Sequence, residues 1–394
     1  QLALATQAYV VKRDAFKTVI AGYPWFLDWG RDSLICARGL LAAGLVDEVR
    51  QLLITFGRFE ENGTLPNTIH GEDASNRDTS DAPLWYGVVA EELAALAGPE
   101  TYDVQVDARR TIRDVLRSIA EGYRRGTPNR IHIDESSGLV WSPSHFTWMD
   151  TNYPAGTPRE GFPIEIQALW IRLLEQLERL GLSGGWGELE ARARASLLQY
   201  FWLEDKGWFA DVLLAPYRDS AAQAVPDDAL RSNCVIPIAF DLVPKPQARR
   251  CLRNVLRHLV VPGALRSLAP LRLSQPLPIH GADWRLLNNP HEPYAGRYEG
   301  DEDTQRKPAY HNGTAWTWTF PGLCEAIARV WDFSPPATAA ARHYLGSMEA
   351  LLDHGCLGQI PEVLDGDAPH QQRGCDAQCW GVTEALRVWK LLAR

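Results

Sequence analysis

Near the start of the chain, Gly22-Tyr23-Pro24-Trp25-Phe26-Leu27-Asp28-Trp29-Gly30-Arg31-Asp32 sets four large aromatics beside two Asp and one Arg. Flat rings take the apolar face of a neutral sugar, and carboxylates with a forked guanidinium take its hydroxyls. A second aromatic-acid segment, Phe146-Thr147-Trp148-Met149-Asp150, lies in mid-chain, and a third acid stands near the end in Ile360-Pro361-Glu362-Val363-Leu364-Asp365-Gly366. The chemistry these residue types could perform together is cleavage of a sugar bond by a pair of carboxyl groups.

Each candidate has a structural reading beside the chemical one. Asp150 next to Trp148 is partly desolvated, which favours the protonated acid; an Asp there could equally cap a helix or a turn. Glu362 could hold a water as general base or be an exposed loop acid. Asp365 before Gly366 reads as turn chemistry. Asp32 either caps the helix that follows or binds a hydroxyl, and Arg31 either binds substrate or pairs with an acid. Asp81 before Ala82-Pro83 has the form of a helix N-cap with proline in the first turn. Tyr310-His311-Asn312-Gly313-Thr314, followed by Trp316 and Trp318, reads as the polar, aromatic mouth of a helix. The roles of Glu160, Glu165 and Asp365 stay open, with Glu165 the best candidate for a structural acid.

The net charge of −9 argues against a nucleic-acid partner. Fifteen Trp in 394 residues suit sugar clefts or a large core. No apolar run reaches the roughly 18 residues of a membrane span, so no membrane partner is expected. Seven Cys, an odd and scattered set, favour a reducing, cytoplasmic compartment over a disulfide framework. Cys356, Cys375 and Cys379 with His354 and His370 match no familiar zinc spacing. The acid run Glu299, Asp301, Glu302, Asp303 reads as a solvated loop. No metal and no organic cofactor is expected.

These groups need a scaffold, and the periodicity is helical. Apolar stripes run through Trp85, Val89, Leu93, Leu96; Ile112, Val115, Ile119, Tyr123; Ile166, Leu169, Leu173, Leu177, Leu180; Ala248, Leu252, Val255, Leu259; and Ala341, Leu345, Met348, Leu352. Further helices are expected near 32–45, 47–58, 187–202, 231–241, 311–332 and 376–392, with few strands. Long linkers at 59–80, 126–160, 203–230 and 261–310 carry or flank the acidic-aromatic segments, and long loops in a compact domain are usually functional. The pattern predicts an all-α single domain over 1–394, with helices paired in a closed ring and a pocket at one end.

The same segments resemble the C-terminal glucosidase domain of glycogen debranching enzymes, the amylo-α-1,6-glucosidase family. The resemblance rests on residues 21–32, on Asp81-Ala82-Pro83-Leu84-Trp85, on Thr147-Trp148-Met149-Asp150 with Thr157-Pro158-Arg159, and on Pro163-Ile164-Glu165-Ile166-Gln167-Ala168-Leu169-Trp170. It continues through Tyr310 to Trp318, Pro361 to Gly366, and Arg373-Gly374-Cys375 with Gln378-Cys379-Trp380. Ser33, Pro83 and the order Ala315-Trp316-Thr317-Trp318 depart from the family's commoner residues. The resemblance implies an (α/α)6 barrel, a six-hairpin toroid, that hydrolyses α-1,6-linked glucose at branch stubs with inversion. It implies Asp150 as general acid and Glu362 as general base, their carboxyls roughly 6.5–9.5 Å apart. It also implies Trp25, Asp28, Arg31 and Asp32 around the terminal glucose, with Trp148 and His311 flanking it. Trp29, Asp81, Trp316 and Arg373 are further substrate-contact candidates from these motifs. The implied substrates are glycogen, limit dextrin or branched maltodextrin. An upstream domain, or a partner glucanotransferase or phosphorylase that trims chains to stubs, is expected. A glucoamylase- or trehalase-like exo-glucosidase and a non-catalytic glycogen-binding module are the alternatives.

Overall fold

The structure, a computed structural model, describes residues 1–152 and 156–393. Its helices alternate between two layers. Six inner segments are α2 (Gly30–Ala43), α4 (Ala82–Ala97), α6 (Ile164–Arg179), α8 (Val235–Ala239), α11 (Thr319–Val330) and α13 (Cys379–Leu392). Each packs on the next, and α13 returns to pack on α2, which closes the ring. The outer layer is α1 (Leu2–Gln7), α3 (Val46–Phe59), α5 (Ile112–Arg125), α7 (Trp186–Phe201), α9 (Lys245–His258) and α12 (Pro335–Gly346). One short helix, α10 (Lys307–Tyr310), lies outside this alternation. The architecture is the (α/α)6 toroid. No helix among the described residues is long and apolar enough to cross a membrane.

Residue pattern separates the layers. Outer α5 is amphipathic, burying Ile112, Val115, Leu116, Ile119 and Tyr123 while its Arg residues stay outside, and Thr111 with Asp114 closes its first turn as a capping box. Inner α4 begins Ala-Pro-Leu-Trp-Tyr-Gly-Val-Val-Ala and is buried all round that stretch, as a helix in a ring centre must be.

The seam between α2 and α13 depends on one glycine. A Cβ on Gly39 would come within 2.2 Å of the Thr383 carbonyl oxygen. Gly39→Ala is therefore expected to push the two helices apart and cost about 1–3 kcal/mol or more, the range for overpacking. The denaturant midpoint of the variant measures this; an unchanged midpoint would show that the seam yields.

Three sequence expectations are corrected. The helix expected over 311–332 begins only at Thr319, because Gly313 sits at φ +155 and Ala315–Trp316 pair as a strand. The stripe ending at Leu352 is broken: α12 stops at Gly346, and Met348 and Leu352 follow around a separate 3-10 turn, Glu349–Asp353. The helix expected over 231–241 shrinks to Val235–Ala239 after a 3-10 turn. Strands are also more numerous than expected, though most are two residues long. They tie the linkers together. Strand Gly22–Tyr23 pairs with Ala377–Gln378, and Asp28–Trp29 pairs with Thr68–Ile69. A five-stranded antiparallel sheet runs Val260–Val261, Ala264–Arg266, Ala315–Trp316, Val363–Leu364, Gln372–Arg373, and sets Trp316 opposite Val363.

Candidate active site

The motif residues gather where the inner helices begin. Arg31 and Asp32 lie in the first turn of α2, and Asp81 precedes α4. Asp150 lies on the connection into α6, His311 and Trp316 on that into α11, and Glu362 with Arg373 on that into α13. Helix N-termini carry partial positive charge, so this end of the ring suits carboxylates.

A cavity of about 470 Å3 opens there, and Asp150 and Glu362 both line it with Trp25, Phe26, Thr151, Asn152, Tyr298, Glu302, Arg306, Lys307, Tyr310 and Gly374. Glu362 is buried and held on both oxygens: the Tyr310 hydroxyl donates to Oε1, and the Cys375 N–H donates to Oε2 at 2.8 Å. Gly374, at φ +68, lies so close that a Cβ would stand 2.2 Å from Oε2. Burial pushes the Glu362 carboxyl up to about 7, against the two hydrogen bonds that favour its ionised form, with the Asp150 charge adding to the rise. Asp150 has more than a quarter of its side chain open. Desolvation raises its pKa too, opposed by Arg31. Burial raises both carboxyls at this one cavity, which favours the protonated form of each.

Arg31 proves to be a clamp. Its Nε donates to Asp81 at 2.6 Å, one terminal nitrogen to Asp150 at 3.1 Å, and the other to the Thr147 carbonyl at 3.0 Å. All three nitrogens are thus engaged with protein groups, and Arg31 grips the Asp150 segment. Asp81, whose carboxylate also accepts from Thr79, anchors that clamp. Asp32 is buried, with the Gln378 amide 3.5 Å away, and burial pushes it up to about 8 despite Arg31. It is not an N-cap; Trp29 holds that position.

The segment bearing Asp150 is also held from below. Arg159 donates to Thr147 Oγ1 at 3.0 Å while pairing with Glu165 and Asp211. The Trp148 indole donates to Asn233 at 2.6 Å, and Asn233 donates to Asp211 at 2.8 Å. Glu165 is therefore a structural acid. Thr151 joins His311 Nδ1 at 2.7 Å.

Several of the residues expected to contact sugar lie outside the lining of this cavity. Trp148, Trp316 and His311 are buried, with Trp148 edge-on to His311, Trp316 and Trp318 at 5.5, 5.1 and 5.3 Å. They form an aromatic bed under the Asp150 segment and do not line the cavity. His311 stacks on Trp316, and burial holds it neutral, its pKa well below the usual imidazole value. Asp28 accepts from Thr18 at 2.8 Å and pairs with Arg13 at 3.3 Å, which fastens the hairpin Val10–Val19. Trp29 is half-buried, edge-on to Phe26. Arg373 pairs with Asp365 and Glu299 and braces the loop after Glu362. Of the expected sugar-contact aromatics, Trp25 lines the cavity, 58 % exposed at its mouth.

Tyr310 was legible only as part of a motif, and its contact with Glu362 gives it a role. Its O–H stabilises the Glu362 carboxylate, so Tyr310→Phe raises the Glu362 pKa above its value of about 7. A base must be ionised to work, so the rising limb of kcat/KM against pH is expected to move to higher pH. A limb that stays in place or moves down would remove this role.

A closed helical toroid with two carboxyls at a cavity over its inner-helix N-termini is the architecture of the six-hairpin glycosidases. The chain belongs to the amylo-alpha-1,6-glucosidase family, whose sequence profile matches residues 4–387, and is a glycoside hydrolase. Its fold is similar to a mannosylglycerate hydrolase from Thermus thermophilus solved with glucose, at 15% identity over 99% of this chain and 98% of that one, TM-score 0.62. It is also similar to the neutral trehalase of Saccharomyces cerevisiae, at 13% identity over 99% and 80%, TM-score 0.61. A conserved protein from Thermus thermophilus gives TM-score 0.64 at 14% identity, over 99% and 98%.

Proposed function

We propose that this chain is an inverting exo-glucosidase that removes single glucose units from α-1,6 branch stubs of glycogen or branched maltodextrin. The supporting observation is that Asp150 and Glu362, from motifs far apart in the chain, line one cavity. Asp150 protonates the departing glycosidic oxygen. Glu362 takes a proton from the water that attacks the anomeric carbon from the opposite face, giving glucose of inverted configuration and the shortened glucan. Arg31 and the Arg159–Asp211–Asn233 network hold the acid segment in place, and Tyr310 and the Cys375 N–H orient the base. No step draws on a metal or an organic cofactor. We place the enzyme in the cytoplasm, consistent with seven unpaired cysteines.

The bond is tested by glucose release from glucosyl-α-1,6-branched maltodextrin beside isomaltose, maltose and trehalose. Preference for the branched dextrin supports the reading. Preference for maltose or trehalose moves the enzyme to another exo-glucosidase activity, and dextrin binding without any cleavage makes it a binding module.

A further inference from the structure

The long connection into α11 puts out a narrow finger, residues 273–291, before it reaches Tyr298 on the cavity wall. The two arms of the finger are tied from base to tip. Leu273 N–H donates to the His291 carbonyl at 2.9 Å, Leu277 N–H to that of Pro290 at 2.8 Å, Leu287 N–H to that of Ile279 at 2.8 Å and Gly281 N–H to that of Arg285 at 3.0 Å. The Asn288 side chain braces the middle, accepting from the Ile279 N–H and donating to the Leu277 carbonyl. Ser274 anchors the base on Asp228.

Residues 282–285 form an exposed tip. Trp284 is 73 % exposed there, the most exposed of the fifteen tryptophans. It sits at φ +62, a left-handed conformation that a bulky side chain rarely takes. The turn imposes it: Trp284 N–H donates to the Gly281 carbonyl at 3.0 Å, and Arg285 N–H donates to Asp283 Oδ1 at 3.1 Å. The His280 ring stands 6.0 Å from the indole. Strained backbone that holds a large apolar ring in water points to a ligand for the ring. An indole flanked by Asp283 and Arg285 offers a neutral sugar a flat face, a carboxylate and a guanidinium. A finger whose arms are already bonded loses little freedom on binding.

We propose that Trp284 and the finger tip form a second glucan-binding surface outside the cavity, which takes a neutral α-glucan segment of the same polymer whose branch stub enters at Asp150 and Glu362. This rests on the branched-glucan reading above. Once the stub is seated, the second contact is intramolecular, so it adds affinity for a polymer that a short substrate never gains.

The test compares limit-dextrin glycogen with a short glucosyl-α-1,6-maltotriose on the whole chain and on Trp284→Ala and Trp284→Phe. Trp284→Ala is expected to raise KM on the glycogen about fivefold or more, with kcat and the short substrate changed less than about twofold. Trp284→Phe keeps a flat ring and is expected to restore most of the loss. An unchanged KM on glycogen overturns the proposal and leaves the tip to a protein partner; an equal rise on both substrates also overturns it. If neither substrate is cleaved, co-sedimentation with glycogen decides. Retention by the wild type that drops in Trp284→Ala keeps the surface while the hydrolase reading fails, and absent or equal retention overturns the surface.

Discussion

Glu362→Gln is expected to cut kcat by about 10²–10⁴, the range for loss of one positioned proton-transfer group, on every substrate. Asp150→Asn should match it on a glucan but lose far less on α-glucosyl fluoride. The reason is the leaving group. Fluoride departs as an anion without a proton, so it does not need the acid, whereas water must still be activated by the base. The pair therefore separates the two roles as well as testing them. Equal losses for Asp150→Asn on glucan and fluoride would remove Asp150 as the acid. Retention of fluoride hydrolysis in Glu362→Gln would remove Glu362 as the base. Gln and Asn keep the shape of the side chains, so the Cys375 N–H still has its acceptor, and folding should survive.

Arg31→Ala carries the second large effect, on both stability and turnover. Arg31 is buried and ties Asp81, Asp150 and Thr147 together. Removing it leaves Asp81 buried beside an empty site, and breaking a buried pair costs about 3–5 kcal/mol. Asp150 also loses the cation that opposes its rise in pKa, and its segment loses one of its two clamps. Denaturant unfolding and kcat/KM should fall together. Arg31→Lys should recover little, because a single ammonium cannot serve three directions. A variant with wild-type stability and lowered affinity alone would return Arg31 to the role of a sugar contact.

Arg31, which the sequence left between pairing with an acid and binding substrate, shows where the sequence was readable. The outer helices announced themselves, since a stripe such as Ile112, Val115, Ile119, Tyr123 has one period and one cause. The acids Asp150 and Glu362 were candidates by their aromatic and proline neighbours, and the family resemblance set them above their structural readings. What a side chain touches was hidden, because the partners of Arg31 come from residues 81 and 150 and exist only once the ring closes. Exposed and buried tryptophans look alike in a sequence; only the fold shows Trp148 and Trp316 buried edge-on to each other. Asp211 and Asn233 had no motif at all, although they hold Trp148. Two-residue strands carry too little alternation to be seen, and it is such strands that set Val363, next to Glu362, opposite Trp316.

The central claim is that one carboxyl delivers a proton while the other activates water across the same cavity. Proton NMR during the first moments of hydrolysis of an α-linked glucosyl substrate tests this most directly, before the released sugar mutarotates. The account predicts that β-glucose appears first, as single inversion requires. Release of α-glucose first would mean a double displacement and would contradict the assignment of Glu362 as a base acting on water.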